Sequence, residues 1–225
     1  MPDSTLDLLN KSGLFRQFPD DAKQQLANIS KPKQYDDGEV VYQNGDESDA
    51  LYGVIAGGVK MIAEDAQGKY YMYGVSQPGV WFGEISALDG QPRAQTIVTI
   101  GKTTLLKIPR SQLIALLDSN PILYKYFISV LCKRVRHVSQ RLEESALLPI
   151  SKRICKHLLR LNKIKQQEVT KLNQEELAAS LGVTRQSVSR VLKDMEAKGW
   201  ISLKYGSVEV IDAQALIEFL DYSED

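Results

Sequence analysis

Cysteine and histidine are scarce in this chain of 225 residues, at two each. Cys132 and Cys155 form no C-x-x-C motif, so neither a disulfide scaffold nor a zinc or iron–sulfur site is expected. Two half-buried or buried thiols in a reducing cytoplasm are the plain reading. The histidines are His137 and His157, and residues 1–124 contain none. A haem or metalloenzyme site built on two or three histidines is therefore not expected. No run of apolar residues reaches the 18 or so that a transmembrane helix needs. The segment Met1 to Asp7 has no basic region and no apolar core, so no signal peptide is expected there, and the cytoplasm is the expected location. Net charge is also lacking: 28 basic side chains meet 28 acidic ones.

That neutrality hides an asymmetry. Residues 1–124 carry 11 positive and 15 negative side chains, residues 125–205 carry 17 and 7, and residues 206–225 carry none and 6. A block of +10 inside a neutral chain is a candidate polyanion-binding surface, although a solvated helical face would also fit. With 43% apolar residues there is enough to bury a core, in one large or two small domains.

The chain reads as two unlike halves. Residues 6–30 suggest one or two short helices anchored by Leu8, Leu9, Leu14, Phe15, Phe18, Leu26 and Ile29. From Gln34 onward, recurrent glycines separate short β-rich stretches: Val40–Tyr42, Leu51–Ile55, Val59–Ala63, Tyr70–Val75, Thr96–Ile100 and Thr104–Ile108. Many short strands with frequent turn signals, such as Asp65–Gly68 and Gln77–Gly79, imply a sandwich or barrel. After Pro109 a short helix, Arg110–Leu117, is expected. Asn120-Pro121 then opens a long helix that reaches about Leu148, before Pro149. Its apolar seam, Ile128, Leu131, Val135, Val138 and Leu142, steps by 3 and 4 in the heptad manner. Lys133, Arg134, Arg136, Arg141 and Glu143 flank the seam, so a two-stranded contact between two copies is expected.

The last third carries a helix-turn-helix pattern. Asn173-Gln-Glu-Glu176 is a capping box, the helix Gln174–Leu181 stops at Gly182, and Thr184 caps a second helix ending at Gly199. Val188, Val191, Leu192 and Met195 form the inner face of that second helix. Thr184, Arg185, Gln186, Ser189 and Arg190 lie at its start or on the outer face, where their chemistry suits base edges and phosphates. Trp200–Leu203 and Val208–Ile211 around Lys204–Ser207 read as a hairpin wing.

A ligand-type motif lies in the β half, at Trp81–Leu88 followed by Pro92–Thr96. Gly83 permits close backbone approach, and a short helix starting there would aim N–H groups at an anion. Glu84 could accept from a ribose hydroxyl, Arg93 could pair with phosphate oxygens, and the Ala94 N–H could add a donor. By spacing alone, a surface Glu–Arg pair between two turns would read the same.

Both motifs resemble a known family. Phe82–Thr96 resembles the phosphate-binding cassette of cyclic-nucleotide-binding domains, with the Gly-Glu to Pro-Arg-Ala spacing of the eukaryotic kinase regulatory subunits. Leu177–Arg190 is similar to the helix-turn-helix of the cAMP receptor protein and FNR family of bacterial transcription regulators. The resemblance covers roughly residues 10–212. The resemblance implies an α+β fold: a jelly-roll-like cyclic-nucleotide-binding β-roll over 1–119, a dimerisation helix over 120–148 and a winged helix-turn-helix over 149–225. It implies no enzymatic activity, a homodimer on a palindromic double-stranded DNA operator, RNA polymerase as a further partner, no membrane and no cofactor beyond an effector, with cAMP favoured. The implied nucleotide contacts are Gly83, Glu84, Ile85, Ser86, Arg93 and Ala94, with Ser139 on the long helix. Val138 stands where the family has a second hydroxyl, and Gln95 replaces a usual small residue. A regulator of the same fold answering to another effector, or to none, is the competing reading. A β-roll enzyme of the cupin kind would need the histidine cluster that is missing.

The cAMP receptor protein of that family carries Arg-Glu-x-x-x-Arg at the start of its recognition helix, where this chain has Arg185, Gln186 and Arg190. The two arginines should keep guanine, while Gln186 suits adenine N6 and N7 rather than cytosine N4. Selection of bound duplexes from a random pool should show Gln186→Glu moving one position per half-site toward C·G, by about 1–3 kcal/mol per mismatched pair. Identical consensus sequences for both proteins would remove Gln186 from sequence reading.

Overall fold

The computed structural model describes residues 5–67, 70–165, 169–171, 173–204 and 206–221. Gly68 of the first expected turn and Tyr205 of the wing turn lie outside the described residues, as does the acidic stretch 222–225. The chain forms two compact units, residues 1–136 and 137–225.

The first unit opens with α1 (Thr5–Lys11) and α2 (Asp20–Ile29). The strands follow: β1 (Lys31–Tyr35), β2 (Val40–Tyr42), β3 (Ala50–Glu64), β4 (Tyr70–Ser76), β5 (Trp81–Phe82) and, after α3 (Glu84–Asp89), β6 (Thr96–Pro109). They make one antiparallel sheet in the order β1-β6-β3-β4, with β2 added on β6 and β5 on β3. Four stretches expected as separate strands are two long bent ones, β3 and β6. The reason lies at Gly57 and Gly101, whose left-handed φ of 75° and 67° bends the chain without ending it. The β3–β6 register shifts on either side of Ala56, and a Cβ on Gly57 would lie 2.5 Å from the Lys102 carbonyl oxygen. β1 escaped the sequence reading because Lys31–Gln34 are all exposed and show no alternation.

Two apolar clusters hold this unit. Outside the roll, Leu8, Leu9, Phe15, Phe18 and Leu26 pack with Trp81, Leu113 and Phe127. Phe15 meets Phe18, Trp81 and Phe127 edge-on at 4.7–6.0 Å between ring centroids. Inside the roll, Tyr35, Tyr42, Tyr52, Val54, Val59, Phe82, Ile97 and Leu105 form the second cluster. The chain then passes through α4 (Arg110–Ser119) and a 3-10 turn (Pro121–Leu123) into α5 (Tyr124–Leu147). The expected start of α5 at Asn120-Pro121 is therefore a tight turn, and the α-helix proper begins at Tyr124. α5 is continuous through residue 136, where the first unit ends.

The second unit comprises the end of α5, α6 (Ile150–Lys165), β7 (Val169–Lys171), α7 (Gln174–Leu181), α8 (Arg185–Ala197), the hairpin β8 (Ile201–Lys204) and β9 (Ser207–Val210), and α9 (Ala213–Asp221). β7 joins the hairpin in the order β7-β9-β8. α6, β7 and α9 were not anticipated. Its core is Ile154, Leu158, Leu177, Val188, Leu192, Met195, Ile201, Val208 and Leu216, with the buried Cys155 thiol donating to the Leu216 carbonyl at 3.1 Å. Each such side chain, fully buried, contributes roughly 1.5–3 kcal/mol. Among the described residues no helix is long and apolar enough to cross a membrane.

His157 on α6 sets an acid limit for this unit. Burial, then the charges of Arg141 and Arg160, lower its pKa to about 4. The folded unit holds a neutral imidazole while the unfolded chain protonates below about pH 6.5. Stability is therefore complete above that pH and lost as pH falls toward 4, by up to about 3 kcal/mol. Melting of the second unit between pH 7 and 4.5 should show this loss, and His157→Gln should flatten it.

Candidate functional site

The cassette is built around one sharp turn. β5 ends at Phe82, and Gly83 turns left-handed at φ 82° before α3 starts at Glu84. A side chain at 83 would meet Arg93 Nη1 at 2.7 Å and the Tyr42 hydroxyl at 3.2 Å. Gly90, at φ 72°, ends α3 and lets the chain return to Arg93. Backbone bonds fix that return: the Arg93 N–H donates to the Asp46 carbonyl and the Gly45 N–H to the Arg93 carbonyl, both at 2.8 Å.

Arg93 and Glu84 are each 1% exposed. Arg93 Nη2 donates to the Ala50 carbonyl at 2.6 Å and to Asp49 Oδ1 at 3.0 Å, and Nη1 donates to the Gly83 carbonyl at 3.2 Å. Its Nε–H is buried without an acceptor. Asp49 also accepts from Lys107 Nζ at 2.6 Å and from the Tyr52 hydroxyl at 3.2 Å. Burial alone would raise the Asp49 pKa, but Lys107 and Arg93 outweigh it and hold the carboxyl below its ordinary range. Glu84 has its ionic partner in Arg134 of α5, Oε1 to Nη1 at 2.6 Å, and Arg134 Nη2 donates to the Trp81 carbonyl at 2.9 Å. Burial nonetheless wins at Glu84 and raises its pKa, with Arg134 opposing.

Of the expected nucleotide contacts, Gly83, Glu84, Ser86 and Arg93 converge on this turn. The Ser86 hydroxyl donates to the Pro92 carbonyl at 3.1 Å. Ile85 and Ala94 are exposed, as is Ser139 on α5, which falls in the second unit. Arg134 and Arg141, which flank the seam, are not the exposed side chains that such flanks would be. Both are half-buried and spent on their own units, Arg134 on Glu84 and Arg141 on the Ser180 carbonyl at 2.8 Å. Sequence reasoning missed Asp49 and Tyr42 altogether. A buried cationic partner for Glu84 could have been sought on α5, where Arg134 is one of several arginines.

The seam itself stands open. Ile128, Val135, Val138 and Leu142 are 58–70% exposed along one face of α5, while Leu131 is half-buried. Exposed apolar rows of this kind are candidate contact surfaces.

In the second unit, the caps set the recognition surface. Asn173 Oδ1 accepts from the Glu175 N–H at 2.9 Å, Gly182 turns left-handed, and Thr184 Oγ1 accepts from the Ser187 N–H at 3.2 Å. Val188, Leu192 and Met195 are buried, and Val191 is half-buried. Arg185, Gln186 and Arg190 are therefore turned outward, with Thr184 exposed and Ser189 half-buried. Lys193, three residues beyond Arg190 on the same face, is exposed too and was not anticipated. Much of the +10 block is used internally. Arg141 and Arg153 donate to the last carbonyls of α7, Ser180 and Leu181, while Lys156 and Arg160 bind Glu144 at 3.2 and 2.6 Å. Cations at a helix C-terminus complement its dipole.

Comparison with known proteins follows the same division. Residues 32–120 match the family "Cyclic nucleotide-binding domain", and residues 152–219 match "Crp-like helix-turn-helix domain". The chain is 29% identical over 217 residues to a CRP-like cAMP-activated global transcriptional regulator of Mycobacterium tuberculosis, covering 93% of this chain and 97% of that one. It is 30% identical over 184 residues to a cyclic AMP receptor protein of Thermus thermophilus, covering 82% and 85%. Among solved structures, a c-di-GMP responsive global regulator of Xanthomonas campestris superposes with a TM-score of 0.74 at 24% identity, covering 85% of this chain and 99% of that one.

The Glu84–Arg134 contact can be tested directly. Removing one partner of a buried ion pair typically costs about 3–5 kcal/mol. Arg134→Met should therefore destabilise the first unit by about 3 kcal/mol at pH 7 in urea unfolding. Adding Glu84→Gln should recover most of that loss. A single variant as stable as wild type would mean that Arg134 does not neutralise Glu84.

Proposed function

The chain belongs to the CRP/FNR family of transcription regulators, and from that premise we propose that it works as a homodimer whose DNA binding is switched by cAMP. The observation that carries the effector half of this reading is the junction of one buried guanidinium and one buried carboxylate across Gly83. A cyclic nucleotide offers complements to both: an anionic phosphodiester for Arg93 and a ribose hydroxyl for Glu84. Both groups already have partners, so binding is an exchange. Phosphate takes over the hydrogen bond that Arg93 gives to Asp49, and the ribose hydroxyl donates to a carboxylate now neutralised by Arg134.

The exchange touches the long helix. Arg134 sits one position before Val135 of the seam, and Ser139 one position after Val138. A nucleotide that alters the Arg134 contact therefore acts on the helix whose exposed apolar row supports pairing with a second copy. Burying that row against its counterpart removes Ile128, Val135, Val138 and Leu142 from water. In a two-fold dimer the outer faces of the two α8 helices would read successive major grooves, about 34 Å apart, on a palindrome. RNA polymerase is the partner expected for the DNA-bound form.

Titration of the intact protein with cAMP, with and without operator duplex, tests the reading. By linkage the duplex should tighten cAMP binding by the same factor that cAMP tightens DNA binding. Saturating cAMP, at ~100 times its dissociation constant, should add about 2.7 kcal/mol and raise the melting temperature by several degrees. Arg93→Leu should abolish both effects. No heat and no shift at millimolar cAMP would hand the site to a different effector. Equal cAMP affinities with and without DNA would remove the nucleotide as the switch.

A further inference from the structure

The β-roll interior contains a contact that neither the cassette motif nor the helix-turn-helix accounts for. Tyr42, on β2, is buried, and its ring lies under the Arg93 guanidinium with Cζ 4.1 Å from the ring centroid. The ring is itself braced. Tyr52 packs beside it at 5.8 Å between centroids, and Phe82 stacks on Tyr52 at 5.7 Å with planes 11° apart. Tyr52 also lies 5.7 Å from Arg93 Cζ, so two aromatic faces border the same cation. The backbone at Gly83 adjoins both groups: even a methyl group there would come within 2.7 Å of Arg93 Nη1 and 3.2 Å of the Tyr42 hydroxyl.

We propose that Tyr42 is a positioning residue for effector binding: its ring is the shelf that holds the Arg93 guanidinium in the one plane from which it can meet a phosphodiester. The proposal rests on the effector reading above. Hydrogen bonds to Gly83, Ala50 and Asp49 fix the Nη1 and Nη2 atoms. When a phosphate draws Arg93 away from Asp49, one of those tethers is lost, and the two carbonyls alone leave the guanidinium free to tilt. The ring supplies the missing restraint without competing for a hydrogen bond. A cation over a π-face is attracted along the ring normal and keeps its in-plane N–H groups for the anion. Desolvation strengthens the contact, and Arg93 is 1% exposed. Lysine in place of Arg93 would carry a point charge on a flexible stem, with no planar fork for the ring to hold in orientation.

Two substitutions and one spectroscopic signal separate this role from plain packing. Tyr42→Phe keeps the ring and removes the hydroxyl, and should bind cAMP within about twofold of wild type. Tyr42→Leu removes the π-face and should weaken cAMP binding by about tenfold, equivalent to ~1.4 kcal/mol. In an Arg93→Lys background the same Tyr42→Leu change should cost less than about twofold. A residue that merely fills the roll would cost the same in both backgrounds, and that additivity would overturn the proposal. The Arg93 Nε–H resonance gives a second readout that needs no ligand. Lying over a ring, it should be shielded in wild type and Tyr42→Phe, and move downfield in Tyr42→Leu. Should Tyr42→Leu fail to fold, Tyr42→Met, which fills gaps flexibly, replaces it in every arm. If wild type binds no cAMP, the effector reading fails, and the resonance alone then decides whether the shelf exists. An Nε–H shift that ignores the loss of the ring overturns it.

Discussion

The first unit is organised around the burial of charge. Arg93 and Glu84 are each 1% exposed, and a lone ion so placed would lose several kcal/mol of hydration. The surrounding architecture is what makes the arrangement tolerable. Asp49 at the head of β3 and two backbone carbonyls surround Arg93, Arg134 reaches in from α5 to Glu84, and Lys107 on β6 balances Asp49. Three cations and two carboxylates leave one positive charge in surplus. The glycine at 83 is a consequence of that crowding, since no side chain fits between Arg93 and Tyr42. The strand register places Asp49 and Lys107 together: the start of β3 pairs with the end of β6, Tyr52 opposite Lys107.

In the second unit charge is used differently, to fix a turn. The last carbonyls of α7 have no partner within their helix, and Arg141 and Arg153 supply one each. With Gly182 and the Thr184 cap, this sets the angle at which α8 leaves α7 and hence which side chains of α8 point outward. Glu144 holds Lys156 and Arg160 in turn, so α5 and α6 are tied across Pro149. The positive block that marks the sequence is thus partly scaffold. On α8 the cations that stay exposed are Arg185, Arg190 and Lys193, with Gln186 exposed beside them.

Local signals were legible in the sequence and long-range ones were not. Caps, glycine stops and the heptad rhythm are written in neighbouring residues, and the helices α7 and α8 fall where those signals put them. The cassette turn was legible for the same reason: Gly83, Glu84 and Arg93 are close in sequence. Asp49 lies 44 residues from Arg93, and Arg134 lies 50 residues from Glu84, so no spacing rule ties either pair. Tyr42 was invisible for another reason, because Val40–Tyr42 reads as ordinary strand and nothing local says which cation its ring will meet. β1 failed through its exposed lysines. α6 follows Pro149 with Ile150, Ile154, Leu158 and Leu161 at helical spacing, a pattern that the strong signals on either side overshadowed.

The helix α5 joins these themes through its period. Phe127, Arg134 and Arg141 are seven residues apart, two turns of helix, and form one stripe beside the seam. Phe127 is buried in the core of the first unit, Arg134 neutralises Glu84, and Arg141 caps α7 in the second unit. The exposed row at Ile128, Val135 and Leu142 runs on the same seven-residue step, one position later. A straight helix drifts by only about 20° per heptad, so residues seven apart fall on nearly the same line. One repeat thus places an exposed apolar row beside a stripe whose members each make contacts within their own unit. Turning the helix about its axis would disturb the row and the Glu84 contact together. That geometric coupling follows from the Glu84–Arg134 contact and the exposed Val135 side chain being one residue apart on the same helix.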